Sequence, residues 1–156
     1  MDPYEKFNEQ LRKAAEEFKR IDKKEIVRLV SHLDADGISA CAIMIRLLNN
    51  DNRKYSVSIV QQLNKLTISQ LASEPYNCFI FTDIGSGVIS DVKEMLKGRK
   101  VFILDHHSIE ETDASDIVFV NPHTCGIDGG KEISGAGVVF KFACNIDKSM
   151  EEFAHI

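Results

Sequence analysis

Ile26-Val27-Arg28-Leu29-Val30-Ser31-His32-Leu33-Asp34-Ala35-Asp36-Gly37 is the stretch on which the fold turns. Ile26 to Leu33 is a largely apolar run that reads as a β-strand, interrupted only by Arg28 and the polar pair Ser31-His32. Two aspartates and a glycine follow, and Gly37 to Asn49 then carries the apolar spacing of a helix. The same order recurs twice. Cys78 to Thr82 is a short apolar strand followed by Asp83, and Val101 to Leu104 is another followed by Asp105-His106-His107. Each cluster of acids and imidazoles thus sits just past the carboxyl end of a strand.

The rest of the chain supplies the alternation around these units. Asp2 to Arg20 reads as an amphipathic helix with Phe7, Leu11, Ala14, Ala15 and Phe18 on one stripe, and Pro3 suits its first turn. Tyr55 to Val60 alternates as a strand, Thr67 to Ser73 and Val88 to Lys97 read as helices, and Gly98 stops the second. Ile117 to Val120 is a fifth strand, Asn121 to Glu132 a polar loop, and Ser134 opens an apolar helix through Cys144. The expected fold class is α/β: a mostly parallel sheet of about five strands flanked by helices on both faces. Ligands in such sheets bind beyond the carboxyl ends of the strands, so the three clusters are expected to share one crevice.

The composition fits one globular domain. Of 156 residues, 44% are hydrophobic and 28% charged, with a net charge of −5. That balance argues against nonspecific nucleic-acid binding by overall charge and leaves room for a local groove. Arg53, Lys54, Lys65 and Lys131 are scattered and read as solvated surface. Cys41, Cys78, Cys125 and Cys144 show no CxxC spacing and read as reduced thiols in apolar surroundings. No apolar run approaches the ~18 residues of a membrane span, and no signal peptide is evident; a cytoplasmic protein without a membrane partner is expected.

Carboxylate oxygens and imidazole nitrogens together suit divalent ions such as Mn²⁺. His32, Asp34 and Asp36, spaced two apart, can face one ion, although Asp34 or Asp36 could equally cap the following helix. Gly37 lets the chain turn into that helix. Asp83, followed by Gly85 and Gly87, has the surroundings of a turn residue when taken alone. On a turn, His106 and His107 can divide the work between metal and substrate, with Asp105 orienting an imidazole. Ser134-Gly135-Ala136-Gly137 opens its helix with small residues, which serve either an anion at backbone N–H groups or close packing on the sheet.

The set His32-x-Asp34-x-Asp36-Gly37, Asp83 and Asp105-His106-His107 resembles the DHH phosphoesterases, a family named after the last triplet. Ser31 to Ser39, Asn121-Pro122-His123, Gly126-Ile127-Asp128-Gly129 and Ser134 to Val138 are most similar to the archaeal RecJ-like single-strand nucleases within it. The resemblance implies a Rossmann-like DHH domain over 26–156 behind an N-terminal helix at 1–25. It implies a two-metal site, usually Mn²⁺ with Mg²⁺ as the alternative. His32 and Asp34 would serve one ion, Asp36 and His106 the second, and Asp83 both. His107 would contact the scissile phosphate and Asp105 would support the histidines; Ser134, Gly135 and Gly137, from the anion reading of their own helix start, are candidate further phosphate contacts.

By the same resemblance the chain is a RecJ-like exonuclease on single-stranded DNA or RNA in replication or repair, with partner proteins from those assemblies. A small-substrate DHH hydrolase, acting on oligonucleotides, cyclic dinucleotides or pyrophosphate, is the first alternative, and a weakly catalytic module of a replication or repair assembly the second. Family members carry a further aspartate and a glycine-rich second domain beyond the point where this chain reaches Ile156. The chain is therefore expected to be a core truncated at its carboxyl end, its second ion held poorly unless His123 or Asp128 completes the set.

Overall fold

The computed structural model describes residues 1–110 and 113–154. Five strands form one sheet: β1 (Val27–His32), β2 (Tyr55–Val60), β3 (Cys78–Thr82), β4 (Lys100–Leu104) and β5 (Val118–Val120). Their order is β2-β1-β3-β4-β5, and every pairing is parallel. The helices are α1 (Pro3–Lys19), α2 (Ala35–Asn50), α3 (Lys65–Ala72), α4 (Ile89–Met95) and α5 (Gly135–Ile146). The α/β class expected from the alternation is the observed fold. Among the described residues, no helix is long and apolar enough to cross a membrane.

Strand side chains alternate between two cores, as the period of two demands. Val27, Leu29, Cys78, Ile80, Phe102 and Leu104 face α1, α2 and α5. Val30, Phe79, Phe81, Val101 and Ile103 face α3 and α4. Helix α1 belongs to the first core: Phe18 meets Phe102 and Phe142 edge-on at 6.3 and 5.7 Å. Its start is fixed by Asp2, which accepts from Tyr4 N at 3.1 Å and Glu5 N at 3.3 Å, while Glu5 reaches back to Asp2 N.

Element boundaries shift where caps decide them. Helix α2 begins at Ala35, ahead of the expected Gly37, because Asp34 Oδ1 accepts from Gly37 N at 2.8 Å. Helix α3 begins at Lys65, ahead of the expected Thr67, because Asn64 accepts from Thr67 N at 2.9 Å. A 3₁₀ turn, Ser86–Val88, precedes α4, and another, Pro122–Cys125, lies in the loop after β5. Gly37 serves a different purpose from the expected turn: a Cβ there would lie 2.2 Å from His32 O, so glycine lets α2 lie against the end of β1.

Arg53 is the clearest departure from the sequence reading. It is 5% exposed, not a solvated surface residue. Its guanidinium donates to Asp51 at 2.6 Å and to the Ile21 carbonyl at 2.9 Å, and lies 4.6 Å from the Phe18 ring centre. Arg28, which interrupts the apolar run of β1, is likewise buried and paired with Glu74 and Ser58.

Candidate metal centre

Each site residue is delivered by a strand end. Ser31, the last fully buried residue of β1, donates from Oγ to the carbonyls of Gly37 and Thr82 at 2.7 and 2.9 Å, and Thr82 Oγ1 donates back to Ser31 Oγ at 2.8 Å. This knot ties the ends of β1 and β3 to the first turn of α2, so His32, Asp34 and Asp83 are held in register. Its role was not legible from one serine in a motif.

Asp83 is the hub. It follows β3 with φ +56, a left-handed conformation costly for a residue with a Cβ. Its N–H donates to Leu104 O at 2.9 Å, which locks the turn. The side chain is buried, and both carboxylate oxygens lack a hydrogen-bond partner, as does His32 Nδ1. Such orphans cost several kcal/mol in an interior, on the order of 1–3 each for uncharged groups and more for charged ones. Burial, helped by Asp36 and Asp105, pushes the Asp83 carboxyl above its usual range.

Two donor sets meet at this carboxylate. On one side His32 Nδ1 lies 3.1 Å from Asp34 Oδ2 and 3.7 Å from Asp83 Oδ2. On the other, His106 Nε2 lies 3.2 Å from both Asp36 Oδ2 and Asp83 Oδ1. His32, Asp34 and Asp83 present donor atoms all within 4.8 Å of one another, and so do Asp83, His106 and His107. Oxygen and imidazole nitrogen in compact sets around an unpartnered buried carboxylate fit divalent cations. Asp34 therefore has two uses at once: Oδ1 caps α2, which holds its carboxyl below the usual range, and Oδ2 faces His32.

The imidazoles are oriented from behind. His106 Nδ1 approaches the carbonyls of Gly129 and Ile133 at 2.6 and 3.1 Å. Carbonyls only accept, so Nδ1 carries the proton and Nε2 is the ligand atom of the neutral ring. Asp83 beside it raises the imidazole to about 9 against the opposing effect of burial, so a proton occupies Nε2 until a cation replaces it. His107 Nδ1 pairs with Asp105 Oδ1 at 2.7 Å, and that carboxylate raises its titration. Burial raises the Asp105 carboxyl, but His107 and the Ser86 amide, 3.0 Å from Oδ2, outweigh it and leave it lowered.

Ser86 and Asn121 are functional supports that the sequence reading missed. Asn121 Nδ2 donates to Ser86 Oγ at 2.8 Å and to His107 O at 2.9 Å, fixing the turn that carries Asp105-His106-His107. The polar residues after β5 were the available signal, but their target lies in another loop.

Helix α5 holds an anion, and that anion is Asp36. Gly135 N and Ala136 N donate to its two oxygens at 2.7 Å each, while Gly137 N is taken by Ser134 Oγ at 3.0 Å. The expected phosphate cradle at Ser134, Gly135 and Gly137 is thus occupied from within, and the helix terminus steadies a ligand carboxylate. A Cβ at Gly135 would lie 2.2 Å from Asp83 Oδ1, so this glycine also lets α5 approach the hub. Asp36 faces His106, the grouping that the family resemblance implies, and not the His32–Asp34 pair that its spacing alone allowed. Among the described residues His123 and Asp128 join neither donor set.

Comparison with known proteins adds the lineage. The profile of the DHH family, N-terminal domain, matches residues 26–156. An uncharacterized protein of Methanocaldococcus jannaschii is 35% identical over 124 residues, which are 75% of this chain and 28% of that protein. The single-stranded-DNA-specific exonuclease RecJ of Bacillus subtilis is 26% identical over 152 residues, 91% of this chain and 19% of that protein. The crystal structure of an exonuclease RecJ bound to manganese superposes with a TM-score of 0.75 at 23% identity, covering 90% of this chain and 38% of that one. The chain spans less than a third of the length of the two sequence relatives it matches.

Proposed function

The chain belongs to the DHH family, and from that premise we propose that it is the core of a metal-dependent phosphodiesterase that removes nucleotides from single-stranded DNA or RNA. The observation that carries the reading is Asp83: a buried carboxylate with both oxygens unpartnered, between a His32–Asp34 pair and a His106–Asp36 pair. The name of the Bacillus relative supports the substrate, and RecJ crystal structures that hold manganese or magnesium support a divalent cation, for which we take Mn²⁺ with Mg²⁺ as the alternative. Replication and repair assemblies are the setting we infer for it.

Two cations held there would supply positive charge to the phosphate and lower the pKa of attacking water. The protein's own groups prepare that chemistry. Asp36, clamped by α5, and His106, clamped by two carbonyls, need no rearrangement to present ligand atoms. His107 uses Nδ1 on Asp105, which leaves Nε2 as its free nitrogen on a ring that is half exposed and lines the cleft. From there it donates a hydrogen bond to a phosphate oxygen, and the Asp105 carboxylate favours the protonated ring that does so.

Incubating the protein with end-labelled single-stranded oligonucleotide and Mn²⁺ tests the reading. Stepwise release of mononucleotides, abolished by chelation, is expected. An intact oligonucleotide under Mn²⁺ concentrations that saturate the site contradicts it. Release of phosphate from pyrophosphate alone would establish the small-substrate alternative.

A further inference from the structure

The centre and its extension past His32 and His107 form one open cleft of about 420 Å³ that runs to the end of β2, where Gln61, Gln62, Leu63, Gly87 and Glu110 line it. We propose that this extension is a nucleoside subsite: it receives the sugar and base joined to the scissile phosphate, Gln61 and Gln62 determine its specificity, and a second phosphate is excluded. The proposal rests on the phosphodiesterase reading of the metal centre.

Charge is the first argument. Among the described residues, no lysine or arginine lines the cleft, and Glu110 adds a negative group to the aspartates of the centre. A pyrophosphate or polyphosphate would place its second anion there with no cationic side chain to meet it and with Glu110 of like charge beside it, a repulsion that disfavours it. A nucleoside is neutral and brings no such cost.

The lining chemistry is the second. Gln61 and Gln62 are exposed at the end of β2, and among the described residues their side chains form no hydrogen bond. Each carboxamide offers both donors and acceptors, the combination that base edges require. Leu63, 5% exposed, and half-buried Val88 supply apolar surface for a ring. Gly87 adds no bulk, and a Cβ there would meet nothing within 4 Å. The segment is also held in place: the Gln62 carbonyl accepts from Thr67 Oγ1 at 3.4 Å and Asn64 caps α3. The cleft volume falls in the range of small-molecule sites, about 300–1,000 Å³.

The probes are adenosine 5′-monophosphate and inorganic tripolyphosphate, titrated into Mg²⁺-loaded, nitrogen-labelled protein and followed by NMR. Adenosine monophosphate is expected to move the side-chain amides of Gln61 and Gln62 and the backbone amide of Gly87. Tripolyphosphate is expected to leave them in place. Replacing both glutamines by alanine is expected to weaken adenosine monophosphate about tenfold, the loss of one or two hydrogen bonds, without changing Mg²⁺ affinity. Gly87→Lys puts a cation into open space and is expected to strengthen tripolyphosphate about tenfold. Adenosine monophosphate that binds without moving these amides, or equally well to the double variant, overturns the subsite. So does tripolyphosphate that moves them as strongly in the parent protein. The phosphodiesterase reading is tested separately by Mn²⁺-dependent hydrolysis of bis(4-nitrophenyl) phosphate, which carries no nucleoside.

Discussion

The two ends of the sheet bury charge in opposite ways. At the amino ends of the strands, Arg28 pairs with Glu74 and Ser58, Arg53 with Asp51 and two carbonyls, and Arg99 with the carbonyls of Ala72 and Glu74. Every guanidinium there is answered from within the chain. At the carboxyl ends, Asp83 is buried more deeply than any of them, neither of its oxygens has a hydrogen-bond partner, and the groups nearest it are the titratable imidazoles of His106 and His32, at 3.2 and 3.7 Å. Its neighbours Asp36 and Asp105 are of like sign and are themselves pinned by backbone amides. One end is complete as folded; the other is complete only with cations. A buried ion pair closed on itself serves the fold, whereas a buried charge left open marks where the fold has been spent on function.

Breaking the closed end should cost the most stability. Arg53→Met removes the partner of Asp51 and leaves two carbonyls unsatisfied, a change expected to cost about 3 kcal/mol in urea unfolding. Metal affinity should not change, because Arg53 contributes to neither donor set. A loss of Mn²⁺ binding in a folded Arg53→Met protein would show that the two ends are coupled.

Weakening the open end from behind should cost less stability than Arg53→Met, because one side of a buried amide then faces the Ser86 N–H or the His107 ring, and should lower function. Asp105→Asn keeps the shape but removes the charge that favours protonated His107. Supports of this kind are worth about 10–100-fold in affinity or activity. The loss should fall on turnover, read as kcat against KM, with Mn²⁺ affinity changed less.

A third test uses pH. Asp83 raises His106 to about 9, so the folded cation-free protein binds a proton there more tightly than the unfolded chain does. Its contribution is full below the ordinary histidine range, about 6.5, and is lost as pH rises through about 9. Metal affinity runs the other way, strengthening over the same window as the competing proton leaves. Calorimetry in buffers of different ionisation enthalpy should show proton release on Mn²⁺ binding at pH 7 that fades above pH 9. Proton uptake would contradict the assignment of His106 as a ligand.

The legibility of the two ends differed too. Strand–helix alternation and apolar runs are local, so the sheet and its order of elements could be read from 26–120 directly. Clustering of Asp34, Asp36, Asp83, Asp105, His106 and His107 at strand ends followed from the general position of ligands in parallel sheets. What escaped was whatever depends on a partner far along the chain. Asp36 finds its amides about a hundred positions away at Gly135 and Ala136, and that contact converts an expected phosphate cradle into a ligand clamp. Arg53 looks solvated in sequence because its acceptors, the carbonyls of Phe18 and Ile21, belong to no side-chain pattern. Asn121 reads as a loop residue until Ser86 and the His107 carbonyl are placed beside it.

The measurement closest to the central claim compares the parent protein with Asp83→Asn, each unfolded in urea with and without Mn²⁺. If Asp83 is a buried charge reserved for cations, the variant without metal should be the more stable by about 1 kcal/mol or more above pH 9, where His106 is neutral and no longer offsets the desolvation and like-charge crowding that the substitution relieves. Added Mn²⁺ should stabilise the parent, by about 2.7 kcal/mol at a hundred times the dissociation constant, and leave the variant unmoved. A variant that is less stable without metal, or that gains as much from Mn²⁺ as the parent, would show that Asp83 belongs to the fold and not to the centre.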